Sequence, residues 1–154
     1  MFTPEILAEI KESLRGDFPA LRVEPFRVTS QKTPNYNCIA WAAEDDQHWW
    51  EPIDFKYWPQ GVVREFTLSA YIQAYATRGY IRAADGSVEP EHSKIAIYTS
   101  DGTSHGRPMH AARQVTINLW TSKLGRYVDI EHTLAGLEGA SYGRVACYLK
   151  RRTP

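Results

Sequence analysis

The sequence predicts an α+β fold in which N-terminal helices, one of them bearing a cysteine, pack on one face of an antiparallel sheet. Three observations carry this expectation. Apolar residues recur at helical spacing before Gly79 and at alternating spacing after it. Elements of like type are thus segregated along the chain, the pattern of α+β rather than of parallel α/β domains. The chain has 154 residues, enough for a single domain (residues 1–154) whose core needs no disulfide staples.

The elements follow in order. Residues 4–15 form the first expected helix, with Ile6, Leu7, Ile10 and Leu14 on one face and Gly16 as its stop. Pro19, Pro25 and Pro34 make residues 17–35 extended and irregular. Pro34 biases Thr33 away from helical angles, and Asn35 and Asn37 are good N-cap residues. A second helix is therefore expected from Cys38 to near Asp45. The aromatic, proline-broken stretch QHWWEPIDFKYWPQGVVREF reads as a loop packed on that helix. Thr67 caps a third helix, with Leu68, Tyr71, Ile72 and Tyr75 as its apolar face and Gly79 as its stop. Tyr80–Ala83 is then a short strand, and Lys94–Thr99 a strand closed by the Ser100-Asp101-Gly102 turn. Met109–Thr116 and Leu119–Ser122 are the next two strands. Asp129–Leu137 reads as a short helix and Gly143–Lys150 as a last strand, with Val145, Cys147 and Leu149 on one face.

Bulk composition narrows the function classes. Lys+Arg and Asp+Glu are both 18, so no net charge points to nucleic acid as a partner. No apolar run is long enough to cross a membrane. The N-terminus, with charges spaced throughout, lacks the build of a signal peptide, so the cytoplasm is the expected compartment. Delivery by a specialised secretion system is compatible with that reading. Cys38 and Cys147 allow at most one internal disulfide, and His105 and His110 lack a zinc spacing. Neither a metal nor a cofactor is expected.

Cys38 is the residue on which function turns. A thiol in the first turn of a helix faces free N–H groups and the positive end of the dipole, which favour a thiolate. The same residue reads alternatively as a small buried hydrophobe. A nucleophilic cysteine needs a base within reach and a third group to orient that base. Among five histidines His110 fits best, because it opens a strand and is followed by the small residues Ala111 and Ala112. An approach of about 4–5 Å between sulfur and imidazole is expected. For the orienting group Asp129 ranks slightly above Ser122, since an anion best stabilises an imidazolium, and Asn118 is a further choice. Oxyanion donors would be the Cys38 N–H with Gln31 or Asn35. Asn37, Trp41 and Trp50 are expected to contribute to substrate or oxyanion binding, with Trp49 and Trp58 forming a cleft wall or core. Arg113 and Lys123 flank the histidine strand and could take a substrate carboxylate.

Asn37-Cys38 followed by Ile39, Ala40, Trp41 and Ala42 resembles the cysteine-bearing helix start of compact papain-like bacterial enzymes, the NlpC/P60 and CHAP groups. KIAIYTSDG resembles a sheet hairpin strand of those groups. Lys94 stands where the NlpC/P60 histidine is expected, so the resemblance leaves that role to His92 or to His110 one strand later. The chain is also similar to an uncharacterised bacterial domain family that carries YNCIAWA, HAARQ, WTSKLG and DIEH segments, here spanning Tyr36 to His132. The resemblance implies a papain-like fold and a Cys–His pair acting on an amide, isopeptide or ester bond of a peptide or protein substrate. A non-catalytic papain-like module that binds a protein through Trp49 to Trp58 is the other expectation.

Overall fold

The computed structural model describes residues 2–154. Helix α1 (Pro4–Asp17) starts where Thr3 Oγ1 accepts the Ile6 N–H at 3.1 Å, with Pro4 in the first turn. A 3-10 turn (Pro19–Arg22) leads to the short strand β1 (Phe26–Val28). Helix α2 (Cys38–Ala42) and helix α3 (Leu68–Ala76) follow, capped by Asn37 and Thr67. The remaining elements are β2 (Ile81–Ala83), β3 (His92–Thr99), β4 (Pro108–Thr116), β5 (Leu119–Lys123), β6 (Asp129–His132), α4 (Leu134–Leu137) and β7 (Arg144–Arg152).

Among the described residues the seven strands form one antiparallel sheet in the order β1-β6-β5-β4-β3-β7-β2. The mixed α and β composition is as expected, but both faces of the sheet are covered rather than one. Alternation along the strands is the reason. Ile95, Ile97, Ala111, Cys147 and Leu149 pack with α2 and α3, including Tyr71 and Tyr75. Ala96, Tyr98, Ala112, Trp120 and Ile130 pack with Ile10 and Leu14 of α1, and with Leu21 and Leu137. The interior strand β3 is accordingly buried on both sides from Ile95 to Thr99.

Two segments differ from expectation. Asp129–His132 is a strand, not the start of a helix, because it pairs with β5 on one side and β1 on the other. Only Leu134–Leu137 is helical, behind the Thr133 cap. The proline-rich stretch also supplies β1, which pairs Phe26 with His132 and Val28 with Ile130 at the sheet edge.

The ladder between β4 and β5 shapes the site. Their pairing runs from Thr116↔Leu119 to Arg113↔Thr121. Beyond it Ser122 and Lys123 pair with β6, while Ala111 and Ala112 pair with β3. The two central strands therefore part at this end of the sheet. No helix among the described residues is long and apolar enough to cross a membrane.

Candidate functional site

Cys38 opens α2 at the divergence of β4 and β5. Asn37 sets its position: Asn37 Oδ1 accepts the Ala40 N–H at 3.1 Å and the Trp50 N–H at 3.1 Å, and Nδ2 donates to the Trp50 carbonyl at 2.7 Å. Helix α2 packs against both β4 and β5, and the Cys38 sulfur faces the backbone N–H of Ala111. The thiol lines a cleft of about 270 Å3 whose walls include Trp49, Phe66, Tyr71, Arg107, Met109 and Tyr142. Burial pushes the thiol up to about 11, despite the N–H groups of Ala111, Ile39 and Cys38 and the nearby Lys123 ammonium, all of which pull it down. The expected helix-start thiolate is thus a protonated thiol at neutral pH. A five-residue helix is too short to outweigh desolvation.

His110 is fully buried, and its ring shares the α1 side of the sheet with Tyr98, at 5.3 Å between centroids. Tyr142 stacks flat on it at 4.0 Å and 6° while also lining the Cys38 cleft. His110 Nε2 lies 2.8 Å from Ser122 Oγ, and Ser122 Oγ lies 2.7 Å from His132 Nε2. His132 Nδ1 in turn lies 2.7 Å from the Thr133 carbonyl. Among the described residues His110 Nδ1 has no hydrogen-bond partner. No hydrogen bond joins Cys38 to His110. The ring sits on the side of the sheet away from α2, while the sulfur meets the same strand at the Ala111 N–H, where β4 and β5 part. Burial lowers both imidazoles, His110 well below its ordinary value, with His132 adding to the effect, and His132 to about 4.

Ser122, not Asp129, is the group that meets His110. Asp129 alternates onto the opposite face, where Oδ2 accepts from Tyr36 Oη at 2.9 Å. Burial raises its carboxyl, against the pull of Tyr36 and Lys123. Gln31 is exposed and lines a separate groove of about 590 Å3 beside α1, so it is no oxyanion donor to Cys38. Asn37 reaches the cleft, yet its amide is spent on Ala40 and Trp50. Trp50 borders the cleft as expected, but it is fully buried with its indole N–H donated to Asp45 at 2.9 Å, and acts as an anchor there. Trp41 donates to Thr121 Oγ1 at 3.1 Å under the Arg113 guanidinium and does not line the cleft. Arg113 donates to the Trp41 carbonyl at 2.9 Å, and Lys123 to the carbonyls of Thr33 and Gly125. Both cations are engaged within the protein rather than held out for a carboxylate. His92 opens β3 opposite Arg152, whereas Tyr98, opposite His110, is near the other end of that strand.

Two residues escape sequence reasoning. His132 is hidden because its strand looks helical, and Tyr142 arrives from a turn, between Gly139 and Gly143, that has no periodic signal. The pair of glycines was the available clue, since Gly139 and Gly143 exchange backbone hydrogen bonds of 3.0 and 2.8 Å that fold the turn back.

A two-sided α+β sheet with a cleft cysteine on one face and a buried histidine chain on the other defines the class. The chain belongs to a family described as a domain of unknown function (DUF7689), whose model matches residues 27–150 and so contains every residue of this site. Comparison with curated proteins and with solved structures gives no match.

Proposed function

We propose that the protein is a thiol-dependent hydrolase or acyl transferase of papain-like architecture, with Cys38 as nucleophile and His110 as base. One observation carries this reading. His110 has one nitrogen held by Ser122 and the other without a partner, and the Cys38 sulfur rests against the N–H of the very next residue, Ala111. A base oriented through one nitrogen and open at the other suits a nucleophile that reaches it through the parting of β4 and β5. The sulfur forms a bond to the carbonyl carbon of an amide, isopeptide or ester as its proton passes to His110 Nδ1. That proton returns to the leaving amine or alcohol as its bond to carbon breaks. Water, or another acceptor, then discharges the thioester with His110 again taking the proton. Peptide or protein segments are the substrate class, set against the aromatic wall of the cleft.

A second reading has its own support. A thiol pushed up to about 11 and an imidazole held low, with no hydrogen bond between them, suit a binding module in which Cys38 is inert. Labelling separates the two. Under the catalytic reading, iodoacetamide near neutral pH modifies Cys38 before Cys147, whose thiol is raised by burial. p-Nitrophenyl acetate leaves an acetyl group on Cys38, and His110→Ala slows both reactions in a folded protein. A Cys38 that resists both reagents, or reacts equally fast without His110, assigns the protein to the binding class.

A further inference from the structure

The geometry points to His132 as a positioning residue: through Ser122 it dictates which nitrogen of His110 carries the proton, and so makes Nδ1 the base. This rests on the catalytic reading above. The direction of each hydrogen bond in the chain follows from its far end. A carbonyl oxygen can only accept, so the 2.7 Å contact between His132 Nδ1 and the Thr133 carbonyl places a proton on Nδ1. A neutral His132 then has a bare lone pair on Nε2. The 2.7 Å contact to Ser122 must therefore be a hydroxyl proton given by Ser122 to His132. Ser122 has only that one proton, so its 2.8 Å contact with His110 Nε2 is one in which it accepts. His110 thus carries its proton on Nε2 and presents an unprotonated Nδ1, the nitrogen that has no partner among the described residues.

The chain is closed to alternatives. His110, Ser122 and His132 are each 0% exposed, so bulk water cannot reverse its direction. Tyr98, facing the chain from β3, donates its own hydroxyl to the Leu134 carbonyl at 2.8 Å rather than to either imidazole. Tyr142 covers the ring by stacking. Asp129 and Lys123 alternate to the opposite face and bond elsewhere. A carboxylate would fix the same tautomer by accepting from Nε2, but buried here without a cation it would raise the basicity of His110 strongly. Two neutral groups fix the tautomer without introducing a charge.

Nitrogen NMR of the intact, ring-labelled protein reads the tautomer directly and needs no substrate. In the wild type, His110 is expected as the Nε2–H form. His132→Phe removes the acceptor, frees the Ser122 hydroxyl to donate to His110, and should give a mixture with the Nδ1–H form. Alkylation of Cys38 at neutral pH should slow by on the order of tenfold, a fraction of what a positioned base contributes. His132→Gln, whose side-chain oxygen can accept from Ser122, should restore both. If His132→Phe does not fold, Ser122→Ala breaks the chain at its middle for the loss of one oxygen and should have the same two effects. An Nδ1–H tautomer in the wild type, or a tautomer unmoved by either variant, overturns the inference whatever the thiol does. A tautomer that moves while the alkylation rate does not overturns instead the role of His110 as base, and with it the catalytic use of the chain.

Discussion

Acidification should destabilise this protein well above the pH at which its carboxylates protonate. His132 is held at about 4 in the folded protein against an ordinary 6.5, chiefly by burial. Its folded pKa is depressed, so the stability it contributes is fully present above 6.5 and is lost as the pH falls toward 4. The unfolded chain binds a proton in that window that the folded chain refuses. At 1.36 kcal/mol per pKa unit the loss is about 3 kcal/mol, a large part of the roughly 5–15 kcal/mol that holds a domain together. His110, also depressed by burial, acts in the same direction from 6.5 downward. Asp45 and Asp101, whose carboxyls are lowered, withdraw stability only as the pH passes below their ordinary 3.8. Asp129, raised by burial, has the opposite sign: it adds stability as it protonates. The span from pH 6.5 to 4.5 therefore reports mainly on the buried histidines. Urea denaturation followed by tryptophan fluorescence across it should show a steady fall in the wild type and a shallower one in His132→Gln. A midpoint independent of pH over this span, or the same slope in the variant, would refute the assignment of a buried neutral histidine chain.

Other perturbations have defined outcomes. Asn37→Ala removes the cap of α2 and leaves the Trp50 carbonyl and two N–H groups without their partner, which should cost about 2–4 kcal/mol in chemical denaturation; a loss below about 0.5 kcal/mol would mean that water replaces the amide. Lys123→Met takes away the cation that pulls the Cys38 thiol down, so the pH profile of Cys38 alkylation should move upward, and an unmoved profile would deny the coupling. Gly143 has φ +76 and a Cβ there would collide with the Thr99 carbonyl, so Gly143→Ala should lower the melting temperature and loosen Tyr142 from the His110 ring, visible as increased reactivity of that imidazole toward diethyl pyrocarbonate.

The parts of the fold legible in the sequence were those settled by near neighbours. Ile6, Ile10 and Leu14 mark α1, Thr67 caps α3, and the alternation of KIAIYT marks β3. Where distant partners decide, local signals mislead. Asp129 followed by Leu134 and Leu137 has the look of a capped helix, yet pairing with Phe26–Val28 and with β5 holds Asp129–His132 extended. The same pairing builds the site: on a helix His132 bears no fixed relation to Ser122, whereas on adjacent strands their side chains share a face. Cys38 and its Asn37 cap were readable because both belong to one local motif. The protonated state of the thiol was not, since it depends on how far Tyr71, Met109 and Tyr142, remote in sequence, close over the sulfur.

The segment from Ala43 to Phe66 has a further consequence. Trp50 and Trp58 are sunk in the core beside α3, and a single bridge between Trp50 and Tyr57 is its only strand-like pairing among the described residues. Between those anchors Ile53, Asp54 and Phe55 point outward, Phe55 being fully exposed with φ 66. Anchoring and display are thus divided between different positions of one stretch of chain. Descendants of this sequence can rewrite the displayed positions, and lengthen or shorten the excursion between the two tryptophans, while the sheet, the cysteine and the histidine chain keep their places. Diversity among relatives should accumulate there first, as it does in a tool whose handle is fixed and whose bit is exchanged.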